Sequence, residues 1–202
     1  MAFPLIMLGA ALSALAVHEL AEDRVDKMQK RRRTNKVETL SHLDRHDSPI
    51  AFYPSDLLVS MTKTKEVKVI PEIGSIVCCG LGGVLDHTGI FIGDNTIVEL
   101  SGSGLVKAVS MRRFLSERSG KHIYIACDSN EKPLINHLAA QKASEQIFNY
   151  YEYDVIKNNC HRFIWQCFEQ GNSELTTFKA LSHKIARYYD RVIYWDLCKL
   201  NE

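Results

Sequence analysis

The 202-residue chain has no marked excess of charge: 25 Lys and Arg stand against 24 Asp and Glu, for a formal net charge of +1. That balance leaves no electrostatic footprint for a nucleic-acid partner, and none is expected. Cysteines are few: Cys78, Cys79, Cys127, Cys160, Cys167 and Cys198. They are too sparse for a small disulfide scaffold, and no pair has the C-x-x-C spacing of a zinc site. Reduced thiols and a cytosolic place of folding are the expectation, although the even count also permits one or two bridges. His42 and His46 stand four apart, as half a helical metal site would, but no third ligand accompanies them. No metal or cofactor is expected. The glycines of "GLGG" (residues 80–83) are not followed by the Lys-Ser/Thr of a phosphate-binding loop.

Nor is there a full-length hydrophobic span. The one continuous apolar run, "AFPLIMLGAALSALAV" (Ala2 to Val17), is sixteen residues long, a little short of the roughly 20 that a spanning helix needs. Three readings follow. A membrane anchor comes first, because the basic stretch "DRVDKMQKRRR" (Asp23 to Arg33) follows the run and would hold the rest of the chain on the cytoplasmic side. A buried core helix comes second. A secretory signal comes third, since no basic segment precedes the run, although Ala14 to Ala16 would serve as a cleavage site.

What the chain does have is 46% hydrophobic residues, enough for one core and one domain with an appendage. The appendage is placed at 1–36, an apolar anchor helix and basic linker, and the folded domain at 37–202. A short helix is expected to open at Ser55 or Asp56, "EVKVI" to form a strand and "SIVCCG" (Ser75 to Gly80) a buried one. "DHTGIFIGDNTIVEL" (Asp86 to Leu100) alternates as a hairpin. A short helix follows, capped by Ser110, then the strand "HIYIAC" (His122 to Cys127). Helical spacing predicts a long helix from Pro133 to about Tyr151, a turn at "EYDVIKNN", a helix at "CHRFIWQCFEQ" stopped by Gly171 and Asn172, and a third helical segment from Ser173, with Trp195 near its end. Central strands flanked by helices give the class α+β.

Three residues carry the chemistry. His87 stands on the outgoing strand beside Thr88 and Gly89, Glu99 on the returning strand, and Cys160 at the start of a helix. The positive end of a helix favours thiolate over thiol. In a Cys-His enzyme an imidazole takes the thiol proton and a third group orients the ring. The hairpin decides whether Glu99 can be that group. If Asp94 and Asn95 alone form the turn, Glu99 shares a face with Thr88 and fails. A three-residue loop, Gly93 to Asn95, or a bulge puts Glu99 opposite Gly89 and diagonal to His87, roughly 7–8 Å away, within side-chain reach. Gly89 leaves room for the two to meet. Helical spacing from Cys160 runs through Phe163, Ile164, Cys167 and Phe168, so the thiol projects from the apolar side toward the sheet.

"HTGIFIGDNTIVEL" with "YDVIKNNCHRFIWQCFEQG" resembles the lecithin:retinol acyltransferase family, within the circularly permuted branch of the papain-like NlpC-type enzymes. The resemblance spans about Pro71 to Gly171. It implies a permuted papain-like fold with an antiparallel sheet packed against helices, His87 as base, Cys160 as nucleophile and Glu99 as third polar residue. Tyr153 and Asn159 fall where the family often has a tyrosine and an asparagine. Two positions depart. Those acyltransferases usually have histidine where Glu99 stands, a carboxylate being more like the wider hydrolase superfamily, and their "NCEHF" is here "NCHRF".

The expectation is therefore acyl transfer through a Cys160 thioester, on an amide or ester bond of a lipid or a cell-wall peptide. One alternative is a peptidoglycan amidase or endopeptidase acting as an antibacterial toxin. Another is a membrane-tethered binding module with a degenerate site. Expected partners are the lipid or peptide substrate and a membrane touched through residues 2–17, the domain lying on the cytoplasmic side or delivered to the bacterial envelope. Cys78, Cys79, Cys127 and Cys167 are read as inert core. At least one of Asn158 and Asn159 is read as an N-cap. His161 and Arg162 either bring positive charge to the thiolate or lie on an exposed helix face. The aromatics Tyr188, Tyr189, Tyr194 and Trp195 are expected to pack on the domain rather than to form a membrane-interface belt.

Overall fold

The computed structural model describes residues 30, 32, 51–52, 68–80, 86–116, 118, 120–169 and 175–200. The apolar run, His42 and His46, the helix expected at Ser55 or Asp56, most of "GLGG" and the stop at Gly171 and Asn172 lie outside them. Among the described residues no helix is long and apolar enough to cross a membrane.

Among the described residues, one eight-stranded sheet organises the domain. Its strands are β1 (Ala51–Phe52), β2 (Lys68–Val69), β3 (Ile76–Cys79), β4 (His87–Gly93), β5 (Thr96–Leu100), β6 (Val106–Ser110), β7 (Ile123–Cys127) and β8 (Ile193–Cys198). They run in the order β1-β8-β7-β3-β4-β5-β6, with β2 also on β8. β1 and β2 are parallel to β8 and the other pairs antiparallel. The helices fully within the described residues are α1 (Met111–Leu115), α2 (His137–Glu145), α3 (Cys160–Phe168) and α4 (Phe178–Tyr188). This is the α+β architecture expected, a mostly antiparallel sheet packed against helices.

Strand alternation gives the sheet two buried faces. Ile76, Cys78, Ile90, Val98, Tyr124, Ile193 and Trp195 pack with α2, α3 and α4. Val77, Cys79, Phe91, Ile97, Ile125 and Cys127 pack with Met111 and Phe114 of α1. β4 lies between β3 and β5, so each of its side chains belongs to one face or the other.

The hairpin takes the second of its two permitted routes. Asp94 and Asn95 form a two-residue turn with φ of 45° and 57°, the left-handed pair that suits a tight hairpin. The register then shifts between Phe91 and Gly93, so that Ile90 pairs with Val98. A bulge thus supplies the odd residue, Ile92, which has no partner between the Phe91–Ile97 and Gly93–Thr96 pairs and precedes Gly93 (φ 100°). Continued down the strands, this register sets Glu99 against Gly89, as the shared face requires.

Three expectations are corrected. The long helix from Pro133 to Tyr151 shrinks to α2, because Pro133 and Ile135 are held extended in bridges to Cys127 and Ser75, and Asn136 caps the helix by accepting from the Ala139 N–H at 2.9 Å. Its far end stops before Phe148, whose φ of 73° leaves the helical region and whose N–H bonds Val106 O. Val106–Ser110, not identified as a strand from the sequence, pairs along the whole of β5. The tail from Ser173 is not all helix: α4 ends at Tyr188, and the β-branched and aromatic run that includes Trp195 forms β8, paired with β7. Tyr194 and Trp195 are accordingly core residues.

Arg32, in the segment read as a linker, docks on this sheet. Its guanidinium grips the Asp196 carboxylate at 2.7 and 2.6 Å and donates to the Asp128 and Ser129 carbonyls. It also lies 4.5 Å over the Tyr194 ring.

Candidate active site

β4 and β5 bring two of the expected residues together. Glu99, 1% exposed, accepts at Oε2 from His87 Nε2 at 2.9 Å and from Arg118 Nη2 at 2.9 Å. Its Oε1 lies 3.6 Å from Lys107 Nζ, on the residue opposite it in β6. Burial raises the Glu99 pKa to about 7, against the lowering effect of the Lys107 cation. His87 leans on Phe114 with ring centroids 5.3 Å apart. Gly89 makes that packing possible: a Cβ there would meet Ile97 Cγ2 at 2.4 Å and Phe114 Cε2 at 3.1 Å. With Nε2 held by Glu99, Nδ1 is the imidazole nitrogen left for chemistry.

Cys160 begins α3, as the sequence predicted. The chain reaches it through residues tied to the sheet edge: Tyr151 N–H bonds Gly104 O, and Val106 N–H bonds Asn149 O. Asp154 Oδ1 then accepts from the Ile156 and Lys157 N–H groups and turns the chain. Asn159 is the N-cap, accepting from Arg162 N–H at 3.0 Å and donating to Val155 O and Thr176 O. Its side chain is committed to holding the helix start. Phe163, Ile164, Cys167 and Phe168 are buried as their spacing predicted.

The thiol meets β4 on the other face of the strand. Thr88, pointing toward α3, has its hydroxyl 3.1 Å from His161 Nδ1, and that nitrogen is 3.9 Å from Cys160 Sγ. Burial raises the Cys160 pKa, but the bond and charge of His161, with the Thr88 N–H and hydroxyl, outweigh it and leave the thiol below its ordinary value. The other thiols differ. Burial pushes Cys79, Cys167 and Cys198 up to about 12 and raises Cys127 still further. All six cysteines are free. Tyr153, half-buried, has its phenol raised by burial and by the nearby Cys160 charge.

His87 and Glu99 are therefore joined, and Cys160 lies at a helix start against the next residue of the same strand. No hydrogen bond links His87 to Cys160 among the described residues. Sequence reasoning did not find Arg118, which no periodicity marks, or the use of Thr88. It left His161 open, and the structure buries that ring between Thr88 and Phe178. Among the described residues no cluster of His, Cys, Asp or Glu could hold a metal.

A thiol lowered in pKa at a helix start, against a sheet strand headed by a carboxylate-held histidine, is the arrangement of a papain-like cysteine hydrolase in which histidine precedes cysteine in the chain. Residues 56–196 match the family described as permuted papain-like amidase enzyme, YaeF/YiiX, C92 family. The chain belongs to that family, and it is a cysteine hydrolase. No curated protein matches it. The permuted papain-like superfamily inferred from the motifs holds, with the amidase family in place of the lecithin:retinol acyltransferases.

Proposed function

We propose that the protein hydrolyses an amide bond through a thioester on Cys160. One observation carries the reading: Cys160 alone of the six cysteines opens a helix, behind the Asn159 cap and with its thiol 3.9 Å from His161 Nδ1, and its lowered pKa accords with that placement. The thiolate attacks the carbonyl carbon, and the Cys160 backbone N–H, without an intrahelical acceptor in the first turn, faces the developing oxyanion with a neighbouring donor. The proton released from the thiol, held on an imidazole, passes to the amine nitrogen as the carbon–nitrogen bond breaks. Water then resolves the thioester, with His87 as general base and Glu99 fixing its ring so that Nδ1 faces the reacting atoms.

The acyl part is a lipid chain or a cell-wall peptide. Residues 2–17, acting as an anchor, would bring the domain to either at a membrane. Incubating the purified chain with N-acyl amide lipids and, separately, with peptidoglycan decides which. Product that disappears in Cys160→Ala is expected with one of them. Turnover unchanged in Cys160→Ala, or none with either substrate, overturns the hydrolase proposal.

A further inference from the structure

Resting on the hydrolase reading of the site, we propose that Arg118 is a positioning residue: laid on Phe114, its guanidinium holds the Glu99 carboxylate in line for His87 and lowers the pH at which that pair gives up its proton. Glu99 Oε2 is the shared point, 2.9 Å from His87 Nε2 and 2.9 Å from Arg118 Nη2. A guanidinium only donates and stays charged, so its bond orients the carboxylate whichever tautomer the imidazole adopts. The support is shared as well. Arg118 Cζ lies 5.1 Å over the Phe114 ring, and that ring lies 5.3 Å from the ring of His87. α1 has ended by then, its cap Ser116 being extended, so Arg118 reaches the ring from the irregular stretch beyond the helix. The ion pair is shielded from water: the Glu99 side chain is 2% exposed and that of Arg118 21%.

Other groups bear on the pair. Lys107, on β6, has its Nζ 3.6 Å from Glu99 Oε1 and a side chain 41% exposed, and it lowers the Glu99 carboxyl too. Cys79, on β3, and Tyr153, before α3, both feel the Arg118 cation, and burial keeps both neutral. Cys160 carries the other charge that these two feel, and Arg112 and Arg113 of α1 are exposed. Loss of a proton leaves the His87–Glu99 pair one charge more negative, wherever on the pair that proton sat. A cation 2.9 Å away favours the deprotonated pair. Arg118 therefore extends to lower pH the range in which the imidazole is free to take a proton, first from the Cys160 thiol and then from water.

The test follows the imidazole Cε1–H signal of His87 by proton–carbon NMR in the full chain from pH 5 to 10, the signal being the one absent from His87→Ala. Arg118→Gln should move its midpoint up by about one pH unit, with the circular dichroism spectrum unchanged. Arg118→Lys, which keeps the charge but not the planar fork, should move it by about half as much or less. Lys107→Gln should also raise the midpoint, but about 0.5 M KCl should remove that difference from the parent chain, whereas the difference in Arg118→Gln should persist. A midpoint unmoved by Arg118→Gln, one moved as far by Arg118→Lys, or a difference that salt removes in Arg118→Gln overturns the proposal. If Arg118→Gln does not fold, Arg118→Met, which keeps an unbranched stem on Phe114 without the charge, decides in its place. Iodoacetamide labelling Cys160 no faster than the other five cysteines would instead overturn the nucleophile reading, on which the His87 midpoint does not depend.

Discussion

Cys79 and Cys160 lie close to the same histidine-bearing strand, one on each face, and differ in almost everything except burial. Cys79 is paired with His87 across β3 and β4 and has the Arg118 cation nearby, yet burial, with the Glu99 and Cys160 charges adding to it, pushes its thiol up to about 12. Cys160 is as deeply buried, 3% exposed against 1%, and is lowered. A neighbouring histidine does not by itself activate a sulfur. Donors aimed at it do: the helix start, the Thr88 N–H and hydroxyl, and His161.

The sharpest way to break this comparison is to remove each sulfur in turn. Cys160→Ala should cost about 10⁵-fold or more in amide turnover, while Cys79→Ala should leave kcat within a few-fold. Comparable losses in both would mean that the faces are not chemically distinct. Next in size is His87→Ala, expected to lower turnover about 10²–10⁴-fold.

Glu99 sharpens the comparison through pH. Its carboxyl is raised to about 7 by burial, so the form that accepts from His87 is the minor one below that pH. Turnover should fall about tenfold for each pH unit below a midpoint near 7, and Glu99→Gln should lack that limb. Stability has the opposite slope. A carboxyl at about 7 in the fold and near its ordinary value of 4.5 when unfolded contributes stability that is fully present below about pH 4.5. That contribution is lost as pH rises through about 7. Thermal melts at pH 5 and pH 8 should show this decline in the parent chain and not in Glu99→Gln.

What could be read beforehand was local. Alternation and turn residues specified the β4–β5 hairpin, and the demand that Glu99 share a face with His87 specified an odd residue that the structure supplies as Ile92, in the bulge before Gly93. Helical spacing specified the buried face of α3. Glu99 in place of histidine, and "NCHRF" in place of "NCEHF", already pointed away from the acyltransferases. Contacts made at long sequence separation were not legible. Arg118 reaches Glu99 from an irregular stretch, and Arg32 closes on Asp196 from a charged segment with no apolar stripe. β8 was hidden because its aromatic run directly follows a real helix, where a continuation of α4 fits the spacing nearly as well. His161 could not be placed because its position beside Cys160 leaves its direction to the packing of α3 on β4.

Gly89→Ala is the smallest perturbation and the most selective. Its Cβ would enter the α1 face only, 2.4 Å from Ile97 Cγ2 and 3.1 Å from the Phe114 ring that supports His87. Ile97 is a fully buried side chain without free space to yield, so overpacking should cost about 1–3 kcal/mol of stability, read as a lowered denaturation midpoint. On the Thr88 face nothing is touched, and the displaced Phe114 should tilt His87 from Glu99 and reduce kcat several-fold.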